Sequence, residues 1–157
     1  MEFASTLENN DGPIDQAAGA SCAAPLYSRN STDIVFCRTR PRENIKILYD
    51  YELVNAPGKS IVALELDFPP NGFTPPHRHG GATVVAVVTE GSMLSGMNGN
   101  PPKVYKVGES FMELPGCHHT VGENHSKTER LKAIATFIVD TEVVRSGYEG
   151  LVVLDEE

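Results

Sequence analysis

Gly72-Phe73-Thr74-Pro75-Pro76-His77-Arg78-His79 is the stretch from which the rest of this chain can be read. On a β-strand successive side chains alternate between faces, so His77 and His79 point the same way while Arg78 points opposite. Two imidazoles on one face can grip a single ion. All five histidines fall between 77 and 125, and a turn at Pro115-Gly116-Cys117-His118-His119 places either His118 or His119 to supply a third nitrogen. Such a concentration reads as a metal site rather than as scattered polar surface. Arg78 is expected to lay its stem along the outside and make an ordinary surface pair.

Outward from this stretch the chain is a series of short strands. They are expected near Asp33–Arg38, Ile45–Val54, Ser60–Phe68, Gly72–Arg78, Ala82–Glu90, Ser92–Met97, Lys103–Val107, Ser110–Leu114, Thr120–Val121, Leu131–Asp140 and Gly150–Leu154. Turn signals separate them, at Ala56-Pro57-Gly58-Lys59, Pro69-Pro70-Asn71-Gly72, Asn98-Gly99-Asn100-Pro101-Pro102 and Pro115-Gly116. Proline is confined to these turns and edges, and no stretch has the periodicity of a long amphipathic helix. Many short, evenly spaced strands favour an all-β sandwich or closed barrel over a parallel α/β sheet. Val84, Ala86 and Val88 on one face and Val85 and Val87 on the other make a strand apolar on both sides, expected to serve barrel core and subunit contact. Exposed edges and apolar faces tend to be covered, so a homodimer is expected. Residues 1–31, rich in Ala, Ser, Asn, Asp and Gly without periodicity, read as a flexible N-terminal arm, leaving 32–157 as one barrel domain.

Composition narrows the function classes. A chain of 157 residues with 40% hydrophobic content suits one domain. The net charge of −8, with no long basic run, lacks the phosphate-neutralising stripe that nucleic-acid binding requires. Cys22, Cys37 and Cys117 form neither a disulfide framework nor a zinc ribbon, which fits a reducing compartment. No apolar run approaches the roughly 18 residues of a membrane span, and Met1-Glu2-Phe3-Ala4 opens without the features of a secretory signal. A soluble, cytoplasmic protein with no membrane partner is expected. Cys117 adjoins two histidines but has no identifiable orienting acid, so it reads as structural. His125 reads as a solvated loop residue, and Asp155-Glu156-Glu157 as a solubilising end.

Gly72 to His79, running on to Glu90-Gly91, resembles the first motif of the cupin superfamily: a glycine, His-x-His, then a glycine closing a hairpin. Gly108-Glu109-Ser110-Phe111-Met112-Glu113-Leu114-Pro115-Gly116, with His119 and Asn124, resembles the second. The resemblance covers roughly residues 45 to 140 and, within the superfamily, is strongest to small single-domain, RmlC-like cupins of microbial and fungal metabolism. The resemblance implies a double-stranded β-helix, a jelly-roll-like barrel with metal and substrate inside one end. It also implies His77, His79 and His119 as metal ligands, with His118 pointing away. One departure stands out. The first motif's glutamate, four or five residues after the second histidine, is replaced by Thr83 and Val84. Glu113 and Glu109 are conceivable substitutes, Glu109 belonging to a turn and Glu113 to a strand.

Three imidazoles suit one divalent ion, whether iron, zinc, manganese, nickel or copper, and leave it open positions and its full charge. An enolate, diketonate, catecholate or carboxylate would complement it. The expected function is that of a metal-dependent enzyme acting on a small oxygenated molecule, such as a polyketide-like intermediate or aromatic acid. A dioxygenase reaction and a Lewis-acid rearrangement are both open. Non-redox isomerisation, cyclisation, dehydration or decarboxylation is one alternative, with Glu113 or His118 as the catalytic proton carrier. A non-catalytic small-molecule-binding cupin is the other. No helix-turn-helix accompanies the barrel, which argues against a transcription factor.

Overall fold

Two long strands, the second of which alternates strictly between buried and more exposed residues, organise the molecule. In the computed structural model, which describes residues 40–155, β2 (Lys59–Phe68) and β10 (Leu131–Asp140) pair antiparallel along their whole length. Val62, Leu64 and Phe68 from the first and Leu131, Ala133, Ala135, Phe137 and Val139 from the second point inward. Period-two alternation puts every second side chain of each strand on the core face, so one register match buries the whole set.

On either side, β1 (Asn44–Glu52) pairs with β2, β5 (Thr83–Glu90) pairs with β10, and β8 (Ser110–Glu113) closes the far edge. This gives a five-stranded sheet in the order β1-β2-β10-β5-β8. The facing sheet runs β11-β4-β9-β6-β7, from β4 (His77–Arg78), β6 (Ser92–Met97), β7 (Lys103–Lys106), β9 (His119–Asn124) and β11 (Val153–Leu154). The short β3 (Phe73–Thr74) also pairs with β9. Met93 and Phe111 join the inward residues of β2, β5 and β10 in one core. The β5–β6 hairpin turns at Gly91, whose φ of +72° and close approach to the Arg130 carbonyl, 2.4 Å from where a Cβ would stand, exclude any side chain.

The expected all-β architecture is present, with local differences. The single strand expected over 72–78 is two, because Pro75 and Pro76 have no N–H for a ladder. The strand expected over 120–121 extends to His119–Asn124, and the one expected over 150–154 is a 3-10 turn (Glu149–Leu151) followed by β11. A short helix, α1 (Thr141–Arg145), follows β10 and buries Val144. The strand expected over 33–38, the arm over 1–31, Cys22, Cys37 and the last two glutamates lie outside the described residues. Val84, Ala86 and Val88 are buried, whereas Val85 is 39% exposed on the outer face of the five-stranded sheet.

Candidate metal centre

His77 and His119 are cross-strand partners on β4 and β9, and His79 follows β4 on the same side as His77. All three are buried, and one nitrogen from each lies within 4.8 Å of the others. Arg78 points outward and donates to the Gly116 carbonyl at 2.8 Å, tying β4 to the turn that precedes the third histidine. β11 pairs with β4 at Val153↔Arg78 and Leu154↔His77, and the Asp155 N–H donates to the Pro76 carbonyl at 3.1 Å. The two-residue strand that carries His77 is thereby held on both edges.

Each ring is oriented by one nitrogen. His77 Nδ1 lies 2.7 Å from the Pro75 carbonyl and His79 Nδ1 2.7 Å from the Leu151 carbonyl. A carbonyl only accepts, so both Nδ1 atoms carry the proton and both Nε2 atoms present a bare lone pair. His119 Nε2 meets the Ser95 hydroxyl at 3.0 Å, turning Nδ1 inward. Gly122 makes room for this ring: a Cβ there would stand 3.3 Å from the imidazole. Burial, reinforced by the neighbouring His119 and His79, lowers the His77 pKa from 6.5 to about 4, so this ring is neutral at pH 7.

Glu113 enters the same space from the opposite sheet. It sits on β8 directly across from Val84 of β5, and both side chains face inward. Glu113 Oε2 lies 3.2 Å from His79 Nε2, and Oε1 3.3 Å from His119 Nδ1. Burial alone would raise its pKa, but the imidazoles of His119 and His79 outweigh that and hold the carboxyl well below the usual range. Glu113 is therefore a buried anion, and a second buried carboxylate, Glu43, paired with Arg42, lines the same cavity. His79 Nε2, His119 Nδ1 and Glu113 Oε2 are all buried without a hydrogen-bond partner. Donors about 2.0–2.2 Å from one ion stand about 3.0–3.5 Å apart at tetrahedral or octahedral angles; the Glu113–His79 and Glu113–His119 separations lie in that range, and the three histidine nitrogens lie within 4.8 Å of one another. The residues present fit a divalent cation.

The surrounding wall is mostly apolar: Leu64, Phe68, Val84, Ala86, Met93, Phe111, Ala135 and Phe137 line the cavity beside the carboxylate of Glu43, with Phe137 edge-on to His79 at 5.2 Å between ring centres. Ile45, Leu66, Thr74 and Val152 line it and also reach solvent, so they form its mouth. The free volume beside the histidines is ≈ 30 Å³, room for about two waters. A larger ligand would have to displace side chains at this mouth.

Of the residues expected to act, His77, His79, His119 and Glu113 converge and His118 does not. His118 faces outward, 2.7 Å from Asp155 Oδ2, while its N–H donates to Asn98 Oδ1 at 2.9 Å. The proton-carrying role expected of His118 has no place in this cavity, because adjacent side chains of an extended segment leave on opposite faces. Asp155, expected to be merely solubilising, is its partner. Cys117 is buried but does not line the cavity, and Glu109 accepts the Lys106 N–H in a turn, as expected. Asn124 is structural: its Nδ2 donates to the Pro69 and Glu129 carbonyls. Ser95 and Gly122 were not anticipated. A glycine within a strand was the available signal for Gly122, since it marks a close approach; Ser95 carried none.

The fold and the clustered imidazoles define a small double-stranded β-helix barrel with a histidine centre inside. Residues 64–137 match the family model described as a cupin domain, and the chain contains a small cupin domain. Similar solved structures agree on the fold. A cupin domain from Bordetella pertussis Tohama I is 24% identical, with 64% of this chain and 96% of that one covered and a TM-score of 0.50. An RmlC-like cupin family protein with a double-stranded β-helix fold from Methanocaldococcus jannaschii is 14% identical, covering 70% and 92%, with a TM-score of 0.53. A conserved protein with a double-stranded β-helix domain from Klebsiella pneumoniae is 13% identical, covering 74% and 86%, with a TM-score of 0.54. No curated protein matches the chain. Among the described residues no helix is long and apolar enough to cross a membrane.

Proposed function

We propose that this cupin domain is a metal-dependent enzyme acting on a small, largely apolar, oxygenated organic molecule, by oxygenation or by Lewis-acid rearrangement. The observation that carries the reading is the set of inward-facing lone pairs: two imidazoles locked by backbone carbonyls, a third by Ser95, in a mostly apolar cavity. A merely structural histidine cluster would be expected to satisfy its ring nitrogens, whereas His79 Nε2 and His119 Nδ1 are buried without partners.

His77, His79 and His119 would hold the ion. When bound, it would supply positive charge at an anionic substrate oxygen and, if redox-active, a route for electrons to oxygen. The chain's own residues supply the rest. Leu64, Phe68, Phe111 and Phe137 pack against the carbon body and exclude water, which strengthens every electrostatic contact inside. The Pro75 and Leu151 carbonyls fix ring orientation before any ligand arrives.

Metal analysis of the purified protein, combined with oxygen-uptake measurements on enolic, diketone and aromatic-acid substrates, tests this. Stoichiometric iron with uptake supports oxygenation. Zinc with product formation but no uptake supports Lewis-acid chemistry. A protein that neither carries nor takes up a divalent metal refutes the reading and leaves the non-catalytic binding barrel.

A further inference from the structure

The carboxylate at the centre of the cavity is unexplained by a three-histidine site. Glu113 is 3% exposed, and its Oε2 makes no hydrogen bond. Its two oxygens face two different imidazoles, at 3.2 Å from His79 Nε2 and 3.3 Å from His119 Nδ1. Burying a carboxylate among Val84, Phe111 and Phe137 with one oxygen lacking a hydrogen-bond partner is costly unless a cation compensates it. The Nδ1 proton of His79 is committed to the Leu151 carbonyl, so that ring, when neutral, has no second proton to give the carboxylate.

The ladder explains how the carboxylate came to be there. Thr83 and Val84 on β5 stand where the resemblance implied a glutamate, and of the two Val84 is the buried one. Glu113 on β8 is the direct cross-strand partner of Val84, on the same inward face. Directly opposed residues of an antiparallel pair have their Cβ atoms about 4.5–5.5 Å apart, a gap that one longer side chain can bridge. We propose that Glu113 is the fourth protein ligand of the metal centre, its carboxylate transposed by one strand from β5 to β8. The proposal rests on the metal reading above and deepens it. A His3Glu shell leaves a divalent ion one net positive charge, which is neutralised by a singly charged substrate head such as an enolate or monocarboxylate; a dianion would overcompensate it.

The test uses the full chain loaded with cobalt(II) or zinc(II), with dissociation constants from chelator competition. Removing a group that only supports a ligand costs about 10–100-fold in affinity. Glu113→Gln keeps the shape and deletes the charge, and is expected to lose more than this. The exchanged pair Val84→Glu with Glu113→Val returns a carboxylate to the neighbouring strand and is expected to recover most of that loss. Infrared difference spectra of the unaltered protein, with and without zinc, are expected to show a carboxylate stretch displaced by metal. This measurement depends on no variant folding. Metal binding by the unaltered protein with no such displacement, or a Glu113→Gln loss of 100-fold or less in a folded variant, overturns the fourth ligand and leaves a three-histidine centre standing. An unaltered protein that binds no metal sinks both readings together.

Discussion

Replacing His118 and His119 separately by alanine sets two adjacent imidazoles against each other. His118 meets Asp155 at 2.7 Å, but both side chains are partly exposed, so the pair contributes about 0–1 kcal/mol and less at high salt. His118→Ala should therefore fold, melt within a few degrees of the parent and keep its metal. His119 is buried, and its loss removes one of three converging nitrogens and strands the Ser95 hydroxyl. A buried polar group left without a partner costs about 1–3 kcal/mol, so metal-free His119→Ala should be measurably less stable. Its metal affinity should fall by more than the 10–100-fold that separates an outer group from a ligand. Elemental analysis, chelator competition and thermal melts of both metal-free variants provide the comparison. Metal retained by His119→Ala and lost by His118→Ala would reverse the assignment; undiminished affinity in both would refute a three-histidine centre.

Further outcomes are expected. Ser95→Ala, which removes the hydroxyl 3.0 Å from His119 Nε2, should weaken metal binding about 10–100-fold, and unchanged affinity would show that Ser95 does not orient the ring. In metal-free protein, His77 takes up its proton near pH 4 when folded but near 6.5 when unfolded, so the unfolded state binds more protons between those values. Stability should then fall on acidification from about 6.5 to 4, by roughly 3 kcal/mol in all, with a second loss below about 4.5 as Glu113, depressed in the fold, is protonated. Denaturant titrations across that range check it, and a flat profile between pH 6.5 and 4 would contradict a neutral buried His77. The outer face of the five-stranded sheet, where Val85, Met112 and Ile138 are exposed, is expected to pair with a second copy of the chain. Sedimentation as a 17.0 kDa monomer at micromolar concentration would dismiss that.

What the sequence determined by itself was everything carried by local period and turn chemistry. Alternation along Leu131–Asp140 and Thr83–Glu90 marked the inward faces, the proline and glycine clusters placed the turns, and the i, i+2 spacing put His77 and His79 on one side. These effects act between residues close in the chain, so they can be read along it. Which strand stands opposite which was decided only in three dimensions. The facing of Glu113 depends on the β5–β8 register that sets it against Val84, and Ser95 reaches His119 from β6, a strand paired with β9. His79 is oriented by the carbonyl of Leu151, 72 residues away, and His118 is drawn outward by Asp155 and Asn98. Period two says that a strand has two faces, but non-local ladder pairing and the burial it imposes decide what each face meets. The histidine pair was therefore legible in the chain, whereas Glu113, a candidate carboxylate in the sequence, could be placed among the histidines only once the two sheets had closed on each other.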